Sequence, residues 1–305
     1  MLGTLFRAVA SPRPGAARVG LRHVLAHWCR CAAHLNTFRS WVGDASNPAL
    51  QQAIAVRPSI MTCVVHPYLH ASWSAQRKLE VINGHYALLQ GRLEFLRAAD
   101  SHAIGMVDME NRLQLQIEAP GPFEHEGQLV VSLVREQLHL YSLAFTLGRV
   151  GGDRVAYVGA LQGLNSPYAL QMYRSLTHRM HGLRPRDLLL TVFRLLCTTL
   201  GIGRVFAVSD QNRICSNRYF VSSLQVLSSY DVAWCENGGV ATEGGFFELD
   251  TGLLQRNAED IPSRKRAQYR RRYALLDELS GQITQRIAEF HRERHTNARP
   301  APTFL

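Results

Sequence analysis

Residues 154–163 read RVAYVGALQG, and this stretch decides the fold. It alternates at first, then turns almost wholly apolar and breaks at Gly163. That pattern is a strand that enters a core and leaves it through a tight loop. Ser166 then stands as a helix N-cap with Pro167 at the first helical position. Sheet is expected before this point and helices after it.

Upstream, 104–163 is strand territory. Leu113, Leu115 and Ile117 alternate with Arg112, Gln114 and Gln116, and Pro120-Gly121-Pro122 ends that run. Residues 128–135 and 138–147 form the next two runs, and Gly151-Gly152-Asp153 turns the chain into the opening strand. Four successive strands with short connections predict an antiparallel meander. Earlier still, 47–100 reads as helical, with Leu79, Ile82, Tyr86, Leu89, Leu93 and Leu96 at steps of three and four. Gly84 interrupts that pattern at about 1 kcal/mol relative to Ala, which calls for a packing reason. His85 beside it reads as a core histidine.

Downstream, 167–181 is an amphipathic helix with Ala169, Tyr173, Leu176 and Met180 on one face and Gly182 at C′. Residues 185–200 are apolar nearly all round and predict a helix buried on several sides. The short strand 204–209 should return by a right-handed crossover to lie beside the opening strand. Residues 212–236 read as helix and loop, and 244–250 as a further strand. The chain closes on a helix over 263–293, with Tyr269, Leu276, Leu279, Ile283, Ile287 and Phe290 on one face. Residues 294–305 read as a frayed tail. The expected fold is α+β: a mixed, largely antiparallel sheet flanked by helices, GNAT-like in element order, with a helical N-terminal segment over 44–103 and a main domain over 104–293.

The chain has 305 residues and a formal net charge of +10, and the charge is unevenly placed. Residues 1–43 hold six Arg and no acidic residue; residues 261–305 hold ten basic and four acidic ones. Residues 44–260 are slightly acidic. Nucleic acid is not expected as a partner, because a binding domain concentrates positive charge on its folded core. Residues 1–43 read as a disordered or loosely helical basic extension, with attachment to an anionic membrane surface as the alternative. No apolar run approaches the roughly 20 residues of a transmembrane helix. The six cysteines, Cys29, Cys31, Cys63, Cys197, Cys215 and Cys235, show no disulfide framework, which fits a reducing compartment.

Three places carry candidate chemistry. The loop Gln162, Gly163, Asn165, Ser166 leaves a strand and faces a helix N-terminus, a geometry that holds phosphate or carboxylate. It is the candidate acyl-CoA site; a plain strand-to-helix turn is the alternative. Tyr230, Asp231 and Glu236 sit in a dense polar and aromatic motif and are candidate acid–base residues. Arg264, Lys265, Arg266, Arg270, Arg271 and Arg272 crowd the first turns of the last helix, where positive charge opposes the helix macrodipole. Either they are solvated, or they pair with acids such as Asp231, Glu236, Glu248 and Asp260, or they bind an anionic partner, a phosphate or lipid headgroup. No zinc spacing, GxSxG, P-loop or dinucleotide fingerprint is present, and no metal is expected.

VGALQG at 158–163, GLRP at 182–185, AVSD at 207–210, YDVAW at 230–234, GGFFEL at 244–249 and IPSRKRAQYRRRYALLDEL at 261–279 stand in that order. Together they resemble the VirK/YbjX family of Gram-negative bacteria, over roughly 47–290. Asp210 stands where the resemblance leads one to expect Asn. The resemblance implies a cytoplasmic factor, or one peripheral to the inner membrane, linked to virulence, envelope stress and tolerance of cationic antimicrobial peptides. It implies no reaction and no catalytic residue. An acyl-CoA-dependent N-acyltransferase is the alternative function, and nucleic-acid binding the third.

Overall fold

The computed structural model describes residues 28–43, 46–109, 112–214, 229–252 and 257–297. Eight strands form one sheet in the order β1-β2-β3-β4-β5-β6-β8-β7. The strands β1 (Ile104–Met109), β2 (Leu113–Glu118), β3 (Leu129–Arg135), β4 (Leu138–Val150) and β5 (Asp153–Gly163) make an antiparallel meander. It is one strand longer than expected. Gly151 and Gly152 both take positive φ, as a two-residue hairpin between right-twisted strands requires. Helices α5 (Ala169–Arg179) and α6 (Pro185–Thr199) then carry the chain over to β6 (Arg204–Val208), which pairs parallel with β5. After α7 (Tyr230–Glu236), β8 (Phe246–Asp250) pairs antiparallel with β6, and the two-residue β7 (Val240–Ala241) pairs antiparallel with β8 at the edge of the sheet. This is the α+β class and element order that the sequence predicts.

The N-terminal part supplies α1 (Leu35–Gly43), α2 (Pro48–Val56), α3 (Thr62–Val65) and α4 (Ala75–Leu88), followed by a 3-10 segment at Gly91–Asp100. These helices share one core with the sheet: Phe38, Trp41, Leu50 and Val64 are buried in the same cluster as Leu115, Val131 and Leu143. Over 28–43 the expected free extension is corrected accordingly, because Cys31, Phe38 and Trp41 bury apolar surface that a free arm would leave in water, while residues 1–27 lie outside the described residues. α8 (Ser263–Asn297) crosses the fold, burying Leu276, Leu279, Ile283 and Ile287 and stacking Phe290 on Phe95. It runs through the first part of the expected tail.

Local details differ from expectation for identifiable reasons. α5 starts after Tyr168, and Ser166 makes a turn before it: its hydroxyl accepts the Tyr168 amide and its carbonyl the Ala169 amide. At the other end His181 takes the left-handed position expected of Gly182, and the Gly182 amide reaches back to the Thr177 carbonyl. Gly84 has no packing reason: a Cβ there would meet nothing within 4 Å. His85 is a core histidine, accepting the Leu147 amide at 3.1 Å, and burial holds its imidazole neutral, down at about 3. Residues 215–228, which hold Cys215 and most of the expected helix and loop over 212–236, lie outside the described residues.

Candidate functional site

The parallel pairing of β5 and β6 runs from Val155↔Arg204 to Val158↔Ala207 and stops there. At the same level β5 bulges: Phe145 faces Val158 and Ala144 faces Ala160, which leaves Gly159 as the extra residue. Glycine is required, because a Cβ on Gly159 would collide with the Glu126 carbonyl oxygen. Beyond the bulge the two strands part, and α7 fills the fork. The Leu161 amide, left without a strand partner on that side, donates to the Tyr230 hydroxyl at 2.8 Å. The Trp234 indole N–H donates to the Val208 carbonyl at 2.9 Å.

Short-range chemistry fixes α7 in place. Ser229 caps it, accepting the Val232 amide. The Asp210 carboxylate accepts the amides of Tyr230 and Asp231 and the Ser229 hydroxyl, while the Asp231 carboxylate accepts the Asp210 amide at 2.7 Å. Burial alone would push the Asp210 carboxyl up; these donors and Arg213 hold it below its ordinary value. The Arg213 guanidinium lies 3.5 Å from the centre of the Tyr230 ring. On the other side of the fork the buried Glu126 carboxyl accepts a long, 3.5 Å hydrogen bond from the Gln162 side chain. Burial pushes it up to about 7, with the Arg213 charge working the other way.

The sequence candidates divide. Tyr230 and Asp231 meet at the fork. Glu236 sits at the far end of α7, ion-paired with Arg184 and Arg186, and its carboxyl is held down chiefly by Arg186. Of the loop residues Gln162, Gly163, Asn165 and Ser166, only Gln162 reaches the fork. The loop is not an open anion cradle: the Leu164 amide already donates to the Leu140 carbonyl and the Tyr173 hydroxyl, and Ser166 satisfies the first amides before α5. Gly163 instead admits Tyr173 and Tyr141, whose atoms lie 2.6 and 2.8 Å from where its Cβ would be. Sequence reading gave no role to Glu126 or Arg213 and met Asp210 only as the last residue of the AVSD motif. Among the described residues, a depression of about 390 Å³ lies beside Arg204, Val240 and Asp250 and another of about 250 Å³ beside Arg77, Gly84 and Arg149; neither is lined by a fork residue.

The basic run behaves differently. Arg264, Lys265, Arg266, Arg270 and Arg271 are exposed and Arg272 is half-buried. Arg266 donates to the Ile261 carbonyl, and Arg272 donates twice to the His181 carbonyl while lying 4.4 Å from the Tyr269 ring centre. Among the described residues no carboxylate pairs with any of the six. The acids that were candidates for pairing are otherwise placed: Asp231 on the Asp210 amide, Glu236 on Arg184 and Arg186, Glu248 near Arg204, and Asp260 exposed. No acidic residue occupies the first turn of α8. No group of acidic, His and Cys side chains among the described residues has the form of a metal site, and no described helix is long and apolar enough to cross a membrane.

Comparison with known proteins agrees with the motifs. The chain is 27% identical to the uncharacterized protein YbjX of Escherichia coli over 253 residues, covering 80% of this chain and 77% of that one. It is 25% identical over 167 residues to a protein named membrane protein LapB in Mannheimia haemolytica, covering 54% of this chain and 72% of the other. Among solved structures, a cAMP-binding acyltransferase from Mycobacterium smegmatis matches with 11% identity and a TM-score of 0.28, over 76% of this chain and 66% of that one. A family model described as protein of unknown function, DUF535, matches residues 20–285, and the chain belongs to that family, the YbjX/VirK family that its motifs resemble.

Proposed function

We propose that this protein is an accessory factor of the bacterial envelope that engages an anionic, phosphate-bearing partner through the first three turns of α8. One observation carries the reading: six cationic side chains stand together with no carboxylate partner among the described residues, and the first three of them, Arg264, Lys265 and Arg266, sit in the turn where the macrodipole disfavours positive charge. Arginine forks match phosphate oxygens, whether these belong to lipid headgroups or to free phosphate. A protein that occupies anionic headgroups competes with cationic peptides for the same sites, which fits a role in envelope stress and peptide tolerance. The relative named a membrane protein points the same way. The test is flotation with vesicles containing phosphatidylglycerol. Binding is expected to weaken with salt and to be lost when Arg264→Ala, Lys265→Ala, Arg270→Ala and Arg271→Ala are combined. Binding that ignores lipid charge overturns the reading.

A second reading, acyl-CoA-dependent N-acyl transfer, draws on the fork. There the bulged β5 parts from β6 between Glu126, a carboxyl near neutrality, and the Tyr230 hydroxyl. In this reading Glu126 takes the proton of an acceptor amine and Tyr230 returns one to the leaving thiolate. Millimolar CoA or acyl-CoA should then raise the melting temperature. An unchanged melting curve rejects it.

A further inference from the structure

Between Asp153 and Asp187 the sequence has no acidic residue. The centre of this interval is α5, whose two faces are sharply different. Ala169, Leu176 and Met180 are buried, with Met172 and Tyr173 half-buried beside them. The outward face carries Leu170, Gln171, Arg174, Ser175, His178 and Arg179, all exposed. At the start of that face Tyr168 is 69% exposed and Leu170 63%. Single exposed apolar side chains are ordinary. Two at one helix tip, followed on the same face by unopposed cations, are a different pattern. Arg184 and Arg186, just past the helix, find Asp187 and Glu236; among the described residues Arg174 and Arg179 pair with no carboxylate.

α5 and the basic run also share a junction. Its C-terminal turn presents the His181 carbonyl to Arg272, and Gly182 packs against Gln268. The cationic end of α5 therefore abuts the cationic end of α8, and the apolar pair lies roughly 20 Å away at 1.5 Å per residue. A soluble phosphate has no use for Tyr168 and Leu170. A bilayer has: its interface takes an aromatic and an aliphatic side chain into the headgroup region while cations hold the phosphates.

We propose that α5 is the inserting element of an interfacial docking surface for anionic phospholipid bilayers, with Tyr168 and Leu170 entering the headgroup region and Arg174, Arg179 and the α8 run on the lipid phosphates. This rests on the α8 reading above and adds to it a bilayer and a depth of contact. The test compares the full chain with two variants on vesicles of phosphatidylglycerol and phosphatidylcholine, across a range of salt. Combined Tyr168→Ser and Leu170→Ser should weaken binding by about ten- to hundredfold at every salt concentration and leave the salt slope unchanged. The α8 alanine variant should flatten that slope. Leu170→Trp should bind at least as tightly as the native chain, which guards against a folding artefact. If the serine variant binds like the native chain while the α8 variant fails, the α5 inference falls and the α8 reading stands. Displacement of the native chain by millimolar inorganic phosphate at constant ionic strength assigns the surface to soluble phosphate and also overturns the inference. If the native chain ignores anionic vesicles at low salt, both fall.

Discussion

Arg57 and the arginines that open α8 are chemically identical and face opposite circumstances. Arg57 is almost out of water, within 3.4 Å of the Asp100 carboxylate and donating to the Tyr86 hydroxyl at 2.7 Å and to the Gln128 side chain at 3.0 Å. Tyr86 and Gln128 continue the chain of bonds to Tyr68 and Thr146 on the sheet. Its charge is spent inside the fold, tying the N-terminal helices to β4. The α8 cations meet carbonyls, a tyrosine ring and solvent. A folded chain tolerates a buried cation only with partners, because desolvation is otherwise prohibitive, whereas an exposed one is held by nothing. The first kind bears on stability; the second is left facing solvent, where the proposed partner would meet it.

The difference is sharpest in unfolding measurements. Arg57→Ala leaves the Asp100 carboxyl buried and removes a donor from Tyr86 and Gln128, and should destabilise by about 3–5 kcal/mol in urea. A loss below about 1 kcal/mol would place Arg57 with the surface arginines. Glu126 gives the next effect, through pH. Its folded value near 7 lies above its ordinary 4.5, so the folded state holds the proton more tightly. Below pH 4.5 both states are protonated and the group contributes no penalty. As pH rises from there to 7 the unfolded state ionises while the buried carboxyl keeps its proton, and about 3 kcal/mol of stability is lost, with no further loss once the folded carboxyl ionises as well. Glu126→Gln should remove that slope between pH 5 and 7.5; an unchanged slope would show that the carboxyl is hydrated.

Tyr230→Phe removes the acceptor of the Leu161 amide at the fork and should cost about 1–3 kcal/mol, more than a surface tyrosine. That position also shows what the sequence discloses. RVAYVGALQG announced a central strand, and the glycine within it, Gly159, proved to be a bulge. A period-two pattern does not say which residue is extra, because that depends on how β4 and the Glu126 turn approach. Tyr230 and Asp231 stood out as a dense motif and do meet at the fork. Glu126 did not, because only Pro120-Gly121-Pro122 stands out in that stretch, as a strand terminator, and the Glu126 carboxyl is special only through burial by segments far away in sequence. Asp210 and Arg213 were hidden for the same reason: their partners come from α7. Ser166 was misplaced because it and Pro167 have the residue types of a cap, yet the chain makes one more turn before α5 begins. Charge density was legible directly: the α8 run is local, and only its lack of partners required the fold.

The smallest expected effect is the most discriminating. Combined Arg264→Ala, Lys265→Ala, Arg270→Ala and Arg271→Ala should shift unfolding by no more than about 1 kcal/mol in either direction, since no described carboxylate is deprived of a partner and repulsion near the helix N-terminus is relieved. Alanine is also the better helix former, which pushes toward a small gain. A loss of 3 kcal/mol or more would mean that these side chains are spent inside the fold as Arg57 is, and the case for an external partner would lose its premise. A neutral result, paired with loss of vesicle binding, would separate two uses of arginine in this chain: one set holding the helices to the sheet, and the other, as proposed, engaging an anionic surface.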